Sequence, residues 1–553
     1  MNRILIISLV LLSIAGCMNK SDLGEGVNDR AVFRYNEAAG ITSLDPAFAR
    51  SFENIAIVNQ LFNGLLQMND KLEPVPAIAH DWNISPDGLV YIFNLRDDVY
   101  FHNHRVFKKG KGRKVIASDF VHSFYRIVDS KVASPGAWIF NEVDFSEKSN
   151  YSGFIAENDS TLKIYLKKPF PPFLGILTMQ YCSVIPHEVV EHYGDDFRNN
   201  PIGTGPFMFK AWKEAVKLVL LKNPDYFEKE GNERLPYLDA VSISFVKERQ
   251  AEFISFINGN FDLLSGIDGM YSEELLTSTG ELEPKYRDKF VMKNEPFLKT
   301  DYLGFLIDDN LQIVQNHPLK IKEVRQAINY GINRAELVNY LRNGIGTPAE
   351  AGIVPEGMPS YDPENVKGFY YDREKAMTLL AKAGFPNGNN LPEIVLSTTS
   401  MYQEIAEFIQ NQLAVIGIRI KIDVLPAAIH TEQAARGGLV FFKKSWFADY
   451  PDAENFLAMF YSKNFSPLGP NYTHFQNAKF DSLYEVAQEE TRNQERYKLY
   501  QEMEKLIIEE APILLLYYDR AIKFYPKNIT GLEVNPMNLL TLKRVKKGNS
   551  LIR

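Results

Sequence analysis

Cysteine is nearly absent: the chain of 553 residues has two, Cys17 and Cys182. Two thiols cannot build a disulfide framework, and their separation fits no metal-binding spacing. A basic excess is missing as well. Sixty-one Lys and Arg face 69 Asp and Glu, a net charge of −8, which argues against a nucleic-acid binder. No stretch after Cys17 reaches the roughly 18 apolar residues of a spanning helix, so the chain beyond it is expected to be soluble. Enzyme signatures are lacking: there is no Gly-x-Ser-x-Gly, His-Glu-x-x-His, Walker loop or Gly-x-Gly-x-x-Gly. Gly203-Thr204-Gly205-Pro206 has no Lys of a phosphate loop, and Pro206 removes a backbone donor. No internal repeat is visible.

What the chain does have is bulk. Hydrophobic residues make up 45%, with 37 Phe and 28 Tyr, a globular composition. The length exceeds what one core supports, so at least two lobes are expected. Cys182 lies in the apolar run Met179–Val184 and reads as a buried, inert thiol.

The N-terminus has a basic residue, Arg3, an apolar run from Ile4 to Ile14, and small residues before Cys17. This is the form of a signal peptide. Ile14-Ala15-Gly16-Cys17 resembles a bacterial lipobox. A plain signal peptide is the rival reading, but it requires no Cys at the cut. Acylation of Cys17 would anchor the chain to a membrane, with the polar residues 18–28 as a flexible tether.

Along the chain, helical and strand patterns alternate. Residues 31–35 and 90–95 read as strands, and 162–166 alternates as a half-buried strand does. Helices are expected over 55–66, after Ser118-Asp119 as N-cap, and over 319–341, 372–383 and 492–510. Residues 393–422 read as a β-α-β unit, and 513–518 as a buried strand. The fold class is mixed α/β.

Five segments then stand out in order: Leu44-Asp45-Pro46 with Leu61–Leu66; Ala79–Trp82 with Ser85–Gly88, Tyr91–Arg96 and Ala117–Phe120; Gly203–Phe207 with Asn223–Phe227; Val324–Arg334; and Trp446–Asp452. Together they resemble the family 5 extracellular solute-binding proteins of ABC transporters, which include oligopeptide-, dipeptide- and nickel-binding proteins. The resemblance covers about 31–544. It implies a two-lobed, periplasmic-binding-protein-like fold with a hinge, an extra subdomain, and ligand enclosed between the lobes. It places lobe I at 29–64, 185–298 and 516–553, the extra subdomain at 65–184, and lobe II at 299–515. It further implies a monomeric lipoprotein of the cell envelope, facing periplasm or exterior, that delivers peptides to an ABC permease and its ATPase. No cofactor, metal or nucleic acid is implied.

Candidate ligand residues follow from the same resemblance. Asp449 matches the Asp of a Trp-x-x-Asp motif that binds a peptide's α-ammonium, and Trp446 opens that motif. The plainer reading of Asp449 is a turn acid or cap. Asp452 is the second acid, with helix capping as its plainer role. Lys443 matches an Arg that meets the ligand's carboxylate; otherwise it belongs to a solvated Lys443-Lys444 pair. Tyr402 matches a position that can hold a His. Arg50, Ser51 and Phe52 match a segment whose backbone adds the ligand as a strand. Here the sequence departs from one subgroup, which has Glu where Arg50 stands, and a cation there disfavours a second cation nearby. Phe297 and Gly266 match other cleft positions. Trp446 and Trp138 suit ligand packing, although large aromatics are more often core. His102 and His104 would share a strand face as a metal pair, but no third ligand is near and the following 108–114 is basic, a solvated hairpin. The other classes considered are a binder of a non-peptide solute such as a metal chelate, a surface-anchored hydrolase, and a sensor lipoprotein.

Overall fold

The computed structural model describes residues 31–146, 153–266 and 269–548. The signal peptide, Cys17 and the tether lie outside them. Three sheets carry the fold. The first has the order Val32–Asn36, Ala240–Ser244, Lys217–Lys222, Phe207–Lys213. Its first pair is parallel, with Phe33 opposite Val241. Phe33, Leu218, Leu220, Val241 and Ile243 are fully buried beneath it.

The second sheet has the order Ala79–Ile84, Val90–Leu95, Thr161–Tyr165, Phe154–Asn158, all antiparallel. Alternation sends Tyr91, Phe93, Leu162 and Ile164 inward. The helix Ala117–Val128 covers them with Phe120, Phe124 and Ile127, spaced by three and four residues. Ser118 is not its N-cap. Ile116 holds that place, and the Asp119 carboxylate reaches back to the Ile116 N–H at 2.9 Å.

The third sheet is the largest. Its order is Leu264–Ser265, Ile513–Pro526, Phe290–Phe305, Phe441–Phe447, Ile394–Thr398, Ile420–Val424. The last two strands pair in parallel around the helix Gln403–Ala414, the expected β-α-β unit. The helical stretch at 319–341 is two helices, Lys322–Tyr330 and Arg334–Arg342. They part at Gly331, and Asn333 caps the second.

Phe290–Phe305 and Ile513–Pro526 pair antiparallel and pass through two cores. Phe290, Ile522 and Phe524 pack with Phe256 and Leu275 at one end. Leu303, Phe305, Leu514 and Leu516 pack with the helices of the other lobe. The register slips between Pro296 and Thr300 and again at Asp301/Tyr302. The sequence-assigned boundaries 298/299 and 515/516 fall inside these two strands. After them the chain returns to the first core through Tyr525, Ile529, Leu540 and Val545.

Several conspicuous residues are architectural. Gly203 and Gly205 press on the end of the helix Phe52–Leu61: an added Cβ would lie 2.1 Å from Leu61 O or 2.4 Å from Leu61 C. Burial pushes the Cys182 thiol up. His102 and His104 are not on a strand. His102 Nε2 lies 2.9 Å from Gly205 O and His104 Nε2 3.1 Å from Tyr193 Oη, so both rings are engaged. No cluster of three metal-ligating side chains occurs among the described residues. No helix among them is long and apolar enough to cross a membrane.

Candidate functional site

A cavity of about 1350 Å³ runs between the lobes. Arg50 and Phe52 reach it from the start of the helix Phe52–Leu61, Trp138 and Tyr181 from the short helical turns Ala137–Phe140 and Gln180–Cys182, and Trp446, Phe447 and Asp449 from the exit of the strand Phe441–Phe447. Parts of the chain far apart in sequence thus line one cavity.

Asp449 is held from behind by Asn455. The Asn455 amide donates to Asp449 Oδ2 at 3.1 Å, while its Oδ1 accepts from the Asp449 N–H at 3.2 Å and from Trp446 Nε1 at 2.9 Å. One side chain therefore fixes both members of the motif. Burial raises the Asp449 pKa, and the Asn455 bond lowers it again in part. Among the described residues no basic side chain pairs with this carboxylate. A desolvated acid with neutral partners is stabilised by an arriving cation.

An aromatic wall adjoins it. Phe52 packs on Phe447 with ring centres 4.7 Å apart and on Phe297 at 5.7 Å, edge on. Phe297 does not line the cavity; it supports Phe52, which does. Trp138 lies 6.3 Å from Tyr450.

The other sequence candidates are placed differently. Lys443 is buried, neither a free cation at the cavity nor one of a solvated pair. Its Nζ donates to Asp301 Oδ1 at 2.6 Å and lies 4.2 Å from the Tyr402 ring centre. Lys299 also binds Asp301, at 3.0 Å. Burial opposes ionisation of Asp301, but Lys443 and Lys299 outweigh it and hold the acid well below the usual carboxylate range. Tyr402 therefore packs on Lys443 and does not line the cavity. Asp452 turns away: it accepts from Arg496 at 3.0 Å and Tyr500 at 2.7 Å, and caps the Glu454 N–H at 3.0 Å. Ser51 is an N-cap, accepting from the Asn54 N–H at 3.4 Å. Phe52 opens the helix, while Ser51 just before it is extended, at φ −94° and ψ 155°. Gly266 is exposed at φ +74°, outside the cavity lining, and donates to Ile522 O. Sequence reasoning missed Asn455, Tyr181 and Phe447. Asn455 carried one signal, an amide set six residues past Asp449 beside an apolar run. Tyr181 carried none.

Residues 73–467 match the family described as bacterial extracellular solute-binding proteins, family 5 Middle. The glutathione-binding protein GsiB of Salmonella typhi is 26% identical over 512 residues, covering 90% of this chain and 91% of that one. Di/tripeptide-binding protein 2 of Pseudomonas aeruginosa is 26% identical over 519 residues, covering 91% and 92%. Among solved structures, the periplasmic binding protein DppA from Helicobacter pylori, in complex with the peptide STSA, superposes with a TM-score of 0.76 at 27% identity, covering 94% and 98%. These are binding proteins of transporters and not enzymes. With its two lobes, its interlobe cavity and this match over most of its length, the chain belongs to the family 5 extracellular solute-binding proteins.

Proposed function

We propose that this protein captures peptides between its lobes and passes them to the permease of an ABC importer. The observation that carries the reading is Asp449: a partly buried carboxylate on the cavity wall, oriented by Asn455 and without a basic partner among the described residues. A peptide's α-ammonium supplies the missing charge. The relatives support this class, since glutathione and di- and tripeptides share a free ammonium. Amide side chains elsewhere on the wall, Asn59, Asn63 and Gln180 among them, suit backbone and water contacts that tolerate varied sequences.

Titration calorimetry tests it with free-amine and N-acetylated peptides against the parent and Asp449→Asn. Removing one partner of a desolvated charge pair costs roughly 30-fold or more in affinity. Each change alone should cost that much, and the two together no more, because both delete one interaction. Equal binding of free-amine peptide by both proteins would remove Asp449 from this role.

The reading extends to the residues before 31. Ile14–Cys17 marks Cys17 for acylation, which tethers a monomer to the cell envelope through 18–28. Cys17→Ser should move the protein out of the detergent-soluble membrane fraction, and unchanged partitioning would count against the anchor. Lobe I is assigned to 29–64, 185–298 and 516–553, the subdomain to 65–184 and lobe II to 299–515, with the hinge in the two long paired strands.

A further inference from the structure

Arg50 has the opposite character to Asp449. Four basic residues line the cavity: Arg50, Lys543, Arg544 and Lys546. Three have an acid beside them. Lys543 meets Glu228 at 2.7 Å, Arg544 meets Glu230 at 3.7 Å, and Lys546 meets Glu233 at 3.8 Å. The exposed Arg50 side chain makes no hydrogen bond or ion pair with any described residue. Its backbone N–H is occupied by Phe48 O, 2.8 Å away. The cation expected to read a ligand carboxylate, Lys443, is buried against Asp301. Nearby Lys299 and Arg342 are held by Asp519 at 2.7 and 2.5 Å.

Arg50 also stands close to the Asp449 side of the cleft. Burial first and Asp449 second push the Tyr181 phenol up to about 12, against the opposing pull of Arg50. Burial raises the phenol of Tyr472, which lies beneath Lys444, and Arg50 opposes that rise. An unpaired cation and an acid without a basic partner among the described residues thus line one cavity without pairing with each other. A guanidinium fork matches a carboxylate in geometry and charge.

We propose that Arg50 binds a carboxylate of the ligand, so that the cleft selects peptides offering a free ammonium to Asp449 and a carboxylate to Arg50. This rests on the peptide reading above. The carboxylate is either the terminal one of a short peptide or the side chain of an acidic first residue.

Titration calorimetry with Ala-Ala-Ala, its C-terminal amide and the amide of Glu-Ala-Ala separates these cases. The proteins are the parent, Arg50→Gln and Arg50→Lys, changes on an exposed loop. The parent should prefer a carboxylate-bearing peptide over the Ala-Ala-Ala amide by about tenfold, modest because Arg50 is exposed. Arg50→Gln should erase that preference and Arg50→Lys should restore part of it. Preference for Ala-Ala-Ala identifies the terminal carboxylate; preference for the Glu-Ala-Ala amide identifies the side chain. If the parent binds all three alike, or Arg50→Gln keeps the preference, the Arg50 assignment is overturned while capture through Asp449 stands. If none binds the parent, the peptide reading fails and the Arg50 assignment with it.

Discussion

Asp449 and Asp452 are three residues apart and end in different surroundings. Asp449 has neutral partners and a cavity before it; Asp452 has Arg496, Tyr500 and a helix start. Motif context singled out Asp449 in the sequence because Trp446, which opens its motif, is three residues away. The fate of Lys443 was not legible, because its partner Asp301 is 142 residues away. Glu504 is another acid whose state is set by fold. It is 2% exposed and accepts from the Val354 N–H at 2.9 Å. Gly352 leaves it room: an added Cβ there would sit 1.9 Å from Glu504 Oε1. Burial raises its pKa to about 8, against the lowering effect of backbone bonds from Val354 and Ile353. A raised folded pKa means the contribution is complete below the unfolded value of about 4.5 and is lost as pH climbs to about 8. Over that window the unfolded chain releases a proton that the folded protein keeps, a slope of ~1.4 kcal/mol per pH unit. Unfolding curves of the parent and Glu504→Gln across this range should differ in slope by about that amount, with the variant flatter. Parallel slopes would mean that Glu504 ionises in the folded protein.

Elements written by local pattern were legible. The strand Val90–Leu95 alternates, the helix Arg373–Lys382 begins at Asp372 and stops before Gly384, and Asn493–Glu510 keeps its helical spacing. Features decided at long range were not. The expected strand at 513–518 runs on to Pro526, because its partner Phe290–Phe305 runs on with it. The single helix expected over 319–341 is divided at Gly331, and an arginine of each half binds backbone at or just before the strand Ile513–Pro526. Arg325 donates to Ala511 O at 3.0 Å and Glu510 O at 2.6 Å. Arg334, almost wholly buried, donates to Leu515 O at 2.7 Å, Asn329 O at 3.1 Å and Asn329 Oδ1 at 3.0 Å. No acid pairs with Arg334 among the described residues. Burial lowers its pKa to about 10, which leaves it charged at neutral pH. The contacts of Arg334 lock two helices onto the strand. Arg334→Met keeps the bulk and strips those carbonyls of their donor. A hydrogen bond to a charged group contributes ~1.5–3 kcal/mol, and an unsatisfied buried acceptor adds to the loss. A destabilisation of ~3–5 kcal/mol should appear as a lower denaturant midpoint. A shift worth under about 1 kcal/mol would show that the guanidinium is not what joins these elements.

At the scale of the whole molecule, the cavity walls belong to different lobes. By the lobe assignment proposed above, Arg50 and Phe52 come from lobe I, and Trp446, Phe447 and Asp449 from lobe II. The two long strands run through both cores, and their pairing is irregular between Pro296 and Thr300. Bending at such a point costs little, because the ladder is already broken there. Closure requires that ligand bind the closed arrangement better than the open one. A ligand touching both walls does so, since in the open state it meets only one. Two observables follow from the same event. The radius of gyration in solution scattering should fall when the protein is saturated with a tight peptide. The melting temperature should also rise with ligand concentration, the stabilisation reaching about 2.7 kcal/mol at a hundredfold excess over Kd. The two can be separated. Replacing Asp449 weakens capture but leaves the hinge intact, so Asp449→Asn at saturating peptide should compact to the same radius as the parent, only at higher concentration. A melting shift with no change in radius at saturation would mean that ligand binds a rigid cleft, and the broken ladder at Pro296–Thr300 would then not be a hinge.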